Sequence, residues 1–513
     1  QDNFSTAEVD IDNSHVQLEP SFLCEALGIQ GRMDLLTTDC KRLIELKSGK
    51  AEEYPYLHAR KEHRLQMALY KEILYHNMNC QHNDVMSFLF YSHYPQFFAI
   101  DAIKKEVCEL MSLRNAIIHL EHRLRNGEVS QVISELTEEQ LNIEKRNDSF
   151  YYRYLRPDMM RILTPLHRMN ALEQEYFHLY LTFMEQEQFL AKIGDHRPDS
   201  CNGFAETWNT DTRTKWENGN ILFDLKITPV SDNQQNITHI RIALPDNNEQ
   251  FLPNFRQGDM VMLYERNHET DNVTNKQVFR CLIEEIHPEE YLLRLSYRQR
   301  NADVFHTEKL YAIEPGYMDG AFHQAYSGLF NLLVAPKERK ELLLGERTPR
   351  RNQEIRLNGS YIHPDIDRIV LEAKQAEDYY LLIGPPGTGK TSVALKSMVE
   401  EFLSDKSYHT ILLMAYTNRA VDEICGMLST IQTAPDYVRI GQELNCDPAY
   451  RKHLMGNVIG TATTRKEIYD RLKSVNIFVG TISSLCNHTE LFELKPIDVA
   501  IIDEASQILE PQL

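Results

Sequence analysis

The chain has 513 residues, 42% hydrophobic and 25% charged, an ordinary globular composition with material for roughly three or four domains. Its formal net charge of −20 argues against a generally adhesive nucleic-acid binder, so any nucleic-acid contact must be local. No run of eighteen apolar residues, signal peptide or low-complexity tract is present, which argues against a membrane-spanning helix.

Residues 1–100 open with mixed polar sequence. Two short strands follow, Gly31–Thr37 and Arg42–Lys47, joined by Thr38-Asp39-Cys40-Lys41 in a hairpin pattern. A turn centred on Asp39 and Cys40 sets Asp34 directly opposite Glu45, with Cβ atoms about 5 Å apart. Two carboxylates so placed repel each other unless a cation lies between them, which points to a metal. Period-2 alternation puts Lys47 on the face of Glu45, with Ile44 and Leu46 turned to the opposite, apolar side. Downstream, Gln66 and Tyr70 share one face of a helix at i, i+4.

Asp, then Glu-x-Lys, then Gln-x-x-x-Tyr resembles the RecB-like branch of the PD-(D/E)xK nuclease fold. The resemblance implies that Asp34 and Glu45 hold Mg²⁺ or Mn²⁺ through hard oxygen ligands. It gives Lys47 the task of positioning the attacking water or the phosphate, with Gln66 and Tyr70 as further active-site residues. The branch often adds an upstream histidine; His15 is the only one before Asp34 and is not assigned.

From 101 to 200 the pattern is helical: Ile103–Arg125, a capping box at Thr137–Gln140, and Leu172–Lys192, closed by Gly194 and Pro198. The stripe of Met159, Met160, Tyr176, Phe177 and Phe183 reads as helix packing. Residues 201–305 switch to short strands at 221–227, 237–243, 260–264, 278–284 and 291–297, with polar turns such as Asp246-Asn247-Asn248. That spacing suggests a small β-barrel, with Arg294, Arg298 and Arg300 available to nucleic acid or as plain surface charge. Residues 306–370 read as a mixed, partly basic connector.

Residues 371–513 alternate strand and helix, as a parallel sheet requires. The apolar run Tyr379–Ile383 reads as a buried strand, and Gly384-Pro385-Pro386-Gly387-Thr388-Gly389-Lys390-Thr391 follows as a phosphate-binding loop. Its glycines let backbone N–H groups curl around a triphosphate, Lys390 reaches the outer phosphates, and Thr391 offers a hydroxyl to Mg²⁺. Ser392 opens the helix behind it. Further strands at 410–415, 475–479 and 497–502 end in Thr417-Asn418, Thr481 and Asp503-Glu504 respectively. An acidic pair after a buried strand is a Walker B arrangement, with Asp503 on Mg²⁺ and Glu504 orienting the attacking water.

The segments GPPGTGKT, AYTNRAVDEI, VGTISSL and DEASQ together resemble motifs I, Ia, Ic and II of superfamily 1 helicases. That group contains the nonsense-mediated-decay RNA helicase and the nuclease-helicase that trims Okazaki flaps, and the order of modules resembles the latter. The implied fold is multidomain α/β: nuclease-like domain, α-helical connector, small β-barrel, then a RecA-like lobe. The implied activity is ATP-dependent translocation, 5′ to 3′, on single-stranded DNA, with RNA as an alternative strand, coupled to the nuclease. Thr417, Asn418 and Thr481 would touch the sugar-phosphate backbone, which positions a strand without reading its bases. The alternative keeps the motor and makes the nuclease-like domain a non-catalytic DNA grip.

The cofactors implied are ATP and Mg²⁺. Flap enzymes of eukaryotes clamp an iron-sulfur cluster with four cysteines, but the nine cysteines here are scattered, the nearest pair being Cys24 and Cys40, and we expect no cluster. Scattered single cysteines also suit a reducing, cytoplasmic setting. Where the group places an adenine-reading Gln this chain has Ile366, with Gln375 as a shifted candidate. The chain begins at Gln1 and stops at Leu513, ten residues after Asp503, and reads as a fragment without the second RecA-like lobe. The expectation is weak nucleotide binding and slow hydrolysis by this piece alone.

Overall fold

A computed structural model describes residues 15–53, 56–101, 103–194, 203–245, 253–316, 322–405, 408, 410–432 and 435–513. The expected features at Pro198, Cys201 and Asp246–Asn248 lie outside these residues. The chain divides into two units, Gln1–Asn126 with Glu185–Asp319, and Gly127–Met184 with Gly320–Leu513.

In the first unit a five-stranded sheet runs in the order β1 (Val16–Leu18), β4 (Leu35–Thr37), β5 (Arg42–Lys47), β6 (Met86–Tyr91), β7 (Phe97–Ile100). Only β5 and β6 are parallel. A parallel pair needs a crossover, and the helix α1 (Lys61–Met78) supplies it, burying Met67, Ile73 and Leu74 with Met33, Leu36 and Leu43. Leu35 faces Ile44 and Leu36 faces Leu43, the register set by a turn at Asp39 and Cys40, where Cys40 N donates to the Thr37 carbonyl at 2.8 Å.

Two expectations for this region are corrected. Gly31–Thr37 is not one strand, because the chain breaks at Met33-Asp34. Its first half, β3 (Ile29–Arg32), pairs with β2 (Ser21–Cys24) in another sheet, where the Met33 N–H donates back to Pro20 O at 3.1 Å. Leu46 does not join Ile44 in the apolar layer. Ile44 packs with Phe88, while Leu46 is 47% exposed, since the residues near it at the end of β5 line an open cavity.

The second sheet of this unit runs β10 (Met260–Glu265), β13 (Tyr311–Pro315), β8 (Leu222–Ser231), β9 (Ile237–Ala243), β12 (Glu290–Gln299), β11 (Val278–Ile286), and a β10–β11 pairing closes it into a six-stranded barrel. Inward-facing Leu225, Ile240, Ile242, Leu263, Ile283, Leu293 and Ile313 fill it, as period-2 alternation demands of a small barrel. The sixth strand, β13, comes from the stretch read as connector, and the β2–β3 hairpin attaches to β11.

The second unit holds a wholly parallel sheet, β15 (Tyr437–Ile440), β16 (Ile477–Thr481), β14 (Ile411–Ala415), β17 (Val499–Ile502). Helices Lys396–Ser404 and Asn418–Ser429 cover one face through Val399, Phe402, Val421, Ile424 and Leu428. Tyr379–Ile383 is not a strand here, which corrects the reading of a buried one. The run is extended, with Tyr380 and Leu382 turned to the core and Leu381 and Ile383 left 72% and 93% exposed. A parallel-sheet strand is buried on both faces, and no described residue covers the outer face of this run. Among the described residues no helix is long and apolar enough to cross a membrane.

Candidate functional site

In the first unit Asp34 stands between β3 and β4, held from three sides. Its carbonyl accepts from Glu19 N at 3.1 Å, its Oδ2 accepts from Leu46 N at 2.6 Å, and its own N–H donates to Glu45 Oε2 at 3.3 Å. Lys47 Nζ donates to Glu45 Oε1 at 2.9 Å and to Gln66 Oε1 at 2.8 Å. The Gln66 amide donates to Glu45 Oε1 at 3.0 Å and to the Tyr70 hydroxyl at 2.8 Å, and Tyr70 OH donates to the Arg32 carbonyl at 2.6 Å. The structure therefore joins Asp34, Glu45, Lys47, Gln66 and Tyr70 in one network. Gly31 makes room for it, since a Cβ there would come within 3.2 Å of the Tyr70 ring.

Burial pushes the Glu45 carboxyl above the ordinary range, the hydrogen bond from Lys47 opposes this, and the charge of Asp34 adds to it. Tyr70 is likewise pushed up, by burial and then by Glu45. Asp34 Oδ1 accepts no hydrogen bond from the described residues. Paired carboxylates with spare lone pairs, one of them buried, form a hard-oxygen donor set that suits Mg²⁺ or Mn²⁺.

Two neighbours escape the sequence reading. Glu19 pairs with Arg32 Nε at 2.9 Å; burial raises its pKa, Arg32 opposes and Asp34 adds. Its approach to Asp34 depends on a backbone φ of 52°, which no periodicity signals. His63 lies one turn before Gln66 on α1, and its Nδ1 is 2.7 Å from Tyr91 OH. Burial lowers its pKa and Lys47 adds to that. The i, i+3, i+7 spacing of His63, Gln66 and Tyr70 was the available signal.

In the second unit Gly387 and Gly389 take φ of 77° and 81°, values that L side chains rarely adopt. Lys390 Nζ donates to the carbonyls of Gly384 at 2.6 Å and Pro385 at 3.1 Å. Thr388 Oγ1 donates to Pro385 O at 2.7 Å, so Gly384, Pro385 and Pro386 close a tight loop, exposed from Pro385 to Thr388. Thr391 Oγ1 donates to Asp503 Oδ2 at 2.7 Å, which brings the loop and the end of β17 together; Ser392 is exposed beside them. Glu504, at φ 54°, accepts from the Gln507 amide. Gly384, Lys390, Asp503 and Glu504 border a cavity of about 1710 Å³. A hydroxyl and a carboxylate already in contact are a fitting pair for Mg²⁺.

Thr417 and Thr481 follow or end the adjacent strands β14 and β16, and each caps a helix, accepting from Ala420 N and Ser484 N at 3.1 Å. Thr417 is exposed and Asn418 half-buried, whereas Thr481 is buried. Ile366 packs against the core, and the Gln375 amide donates to Ile355 O.

An AAA domain matches residues 365–467. Over 566 residues, 99% of this chain and 49% of the relative, the chain is 23% identical to the DNA replication ATP-dependent helicase/nuclease DNA2 of Bos taurus. It is 22% identical to the protein of that name from Homo sapiens, over 97% of this chain and 48% of the relative. The Schizosaccharomyces pombe protein is 33% identical over 138 residues, 26% of this chain and 9% of the relative. The chain thus spans about half the length of the curated relatives that it matches end to end. Over nearly its whole length it is similar to the DNA replication ATP-dependent helicase/nucleases.

Proposed function

We propose that the chain carries the metal-dependent nuclease site and the first ATP-binding lobe of an ATP-dependent helicase/nuclease that acts on single-stranded DNA. The reading is carried by one observation, the Lys47 ammonium held between Glu45 and Gln66 with Asp34 beside them. It assigns a nuclease domain to residues 1–100 and the first RecA-like lobe to 371–513.

Asp34 and Glu45 would hold a divalent cation at the first site, and Thr391 and Asp503 one at the second. Such a cation supplies charge neutralisation at the phosphate and, at the nuclease site, an acidified water. Lys47 has three donors, two of them committed to Glu45 and Gln66, and the third, which has no partner among the described residues, would hold the scissile phosphate or the water. Gln66 fixes that ammonium, and Tyr70 fixes Gln66 through the Arg32 carbonyl. At the second site Lys390 exchanges the Gly384 and Pro385 carbonyls for the outer phosphates of ATP, and Glu504 orients the attacking water. Thr417 and Asn418 present a helix N-terminus to the DNA backbone, whereas Thr481, expected to touch it as well, is buried with its hydroxyl capping a helix and is left out of that contact.

The test is incubation of the chain with labelled single-stranded DNA or RNA in Mg²⁺ or Mn²⁺, alongside titration with a fluorescent ATP analogue. The reading expects DNA cleavage that stops with chelator, and saturable nucleotide binding. Intact DNA in both metals would reject the nuclease half. Nucleotide binding unchanged by Lys390→Ala would reject the motor half.

A further inference from the structure

We propose that the barrel strand β12, through Arg294, Tyr297 and Arg298, is the wall that holds a single strand of DNA against Asp34 and Lys47. The inference rests on the nuclease reading for what becomes of the strand, while the holding itself is independent of it.

A cavity of about 970 Å³ is lined by Asp34, Lys47 and Phe90 from the nuclease-like sheet and by Arg294, Tyr297 and Arg298 from the barrel. That is the upper end of the range for ligand pockets, about 300–1,000 Å³, with room for a few unstacked nucleotides and none for a duplex. The barrel reaches the site because β12 leaves its register there. Arg294 faces His239 and Gln299 faces Ile237, so on the β9 side the four residues 295–298 stand against Thr238, while Leu295 keeps its pairing with Cys281 of β11. A bulge of this kind re-aims side chains beside a site.

Gln299 pins the bulge. Only 3% exposed, it accepts from Leu18 N at 2.9 Å and donates to Leu18 O at 2.7 Å, as a neighbouring strand would. The same β1 leads directly to Glu19 and its bond to Asp34.

The chemistry of the wall suits a single strand. Among the described residues neither Arg294 nor Arg298 has an ion-pair partner within 4.0 Å, whereas Arg32 is paired with Glu19. Two guanidinium groups with no carboxylate in ion-pair contact, Asp232 being the carboxylate that feels Arg298 at longer range, give this wall donors for phosphate oxygens in a chain of net charge −20, and phosphates are what a nuclease-type site must receive. Arg32 lies 4.7 Å from the centroid of the half-buried Tyr297 ring and donates to its hydroxyl, which fixes the aromatic side chain at the cavity wall, where a base can meet it. DNA is favoured over RNA because the relatives matched end to end are DNA replication helicase/nucleases.

The experiment uses the full chain with two substrates, a labelled oligo(dT) and the p-nitrophenyl ester of thymidine 5′-monophosphate, whose single phosphate needs only the Asp34–Lys47 end of the cavity. The double variant Arg294→Ala/Arg298→Ala should raise KM for oligo(dT) roughly tenfold or more, and flatten its log–log salt dependence by about 0.7 per lost phosphate contact. Hydrolysis of the ester should fall much less than cleavage of oligo(dT). Arg294→Lys/Arg298→Lys should restore the salt slope, and Tyr297→Phe should hold the oligonucleotide better than Tyr297→Ala. Wild-type KM and salt slope in the double alanine variant would overturn the proposal, as would equal loss on the ester. A loss on oligo(rU) as large as that on oligo(dT) would overturn the restriction to DNA. If the wild type cleaves neither substrate, the nuclease reading fails. Oligo(dT) anisotropy in EDTA then decides the wall, with weakened binding by the double variant supporting it and unchanged binding overturning it.

Discussion

Thr391 Oγ1 donates to Asp503 Oδ2 at 2.7 Å although 112 positions separate them in the chain. The hydroxyl and the carboxylate would together hold the divalent cation of the proposed nucleotide site. Thr391→Val keeps the side-chain volume and removes the hydroxyl. We expect the Mg²⁺-dependent gain in affinity for a fluorescent ATP analogue to fall roughly tenfold, as loss of a hydrogen bond to a charged group implies, with affinity in EDTA unchanged. Titration with and without Mg²⁺ checks this.

In the same unit Glu401 is completely buried. It accepts from Lys374 Nζ at 2.7 Å, Tyr361 OH at 2.6 Å and Asn358 N at 2.8 Å. Burial alone would raise its pKa, but the bonds from Lys374, Tyr361 and Asn358 outweigh it and hold the value below the ordinary one. Glu401→Ala leaves Lys374 buried with only Asp405 as a carboxylate partner, and we expect a loss of about 3–5 kcal/mol in the unit's unfolding free energy. A lowered carboxyl pKa stabilises fully above the unfolded value of about 4.3 and loses that contribution as pH falls through the folded one. Denaturant melts should therefore show the gap between wild type and variant near its full size at pH 7 and narrowing below about pH 4.

Tyr70 reaches no substrate in the proposed mechanism and acts through Gln66. Tyr70→Phe removes a hydroxyl that both accepts from Gln66 and donates to the Arg32 carbonyl. The stability loss should be about 1–3 kcal/mol, the cost of a buried group left unpaired. The nuclease rate should fall through kcat rather than KM for oligo(dT), because Lys47 loses a fixed neighbour while the strand-holding wall is intact.

Metal binding should be visible without turnover. A cation that binds only the folded state adds about 2.7 kcal/mol at a concentration of 100 Kd. Mn²⁺ should then raise the melting temperature of the wild type in the absence of DNA, and raise it less in Asp34→Asn/Glu45→Gln, which keeps only the pair Thr391 and Asp503 for a cation. Equal shifts in both proteins would place the ion elsewhere.

How much of this was legible depends on how local each determinant is. The β4–β5 register follows from a short turn and an alternating pattern, so the facing of Leu35 with Ile44 could be read from the chain. The spacing of Gln66 and Tyr70 on one helix is equally local. The break at Asp34 was not legible, because it comes from β3 pairing with β2, and pairing partners are not written in periodicity. β13 escaped for the same reason. An apolar run also names its preference for burial without naming its cover, so Leu381 and Ile383 look like core residues in sequence and are exposed in the structure. The helix-capping roles of Thr417 and Thr481 depend on where their strands end.

The most direct test of the account is metal-dependent cleavage of 5′-labelled single-stranded DNA by the wild type, Asp34→Ala, Glu45→Ala and Lys390→Ala under identical conditions. The wild type and Lys390→Ala should cut, and Asp34→Ala and Glu45→Ala should show no cleavage above background. Cleavage by either carboxylate variant at the wild-type rate would contradict it.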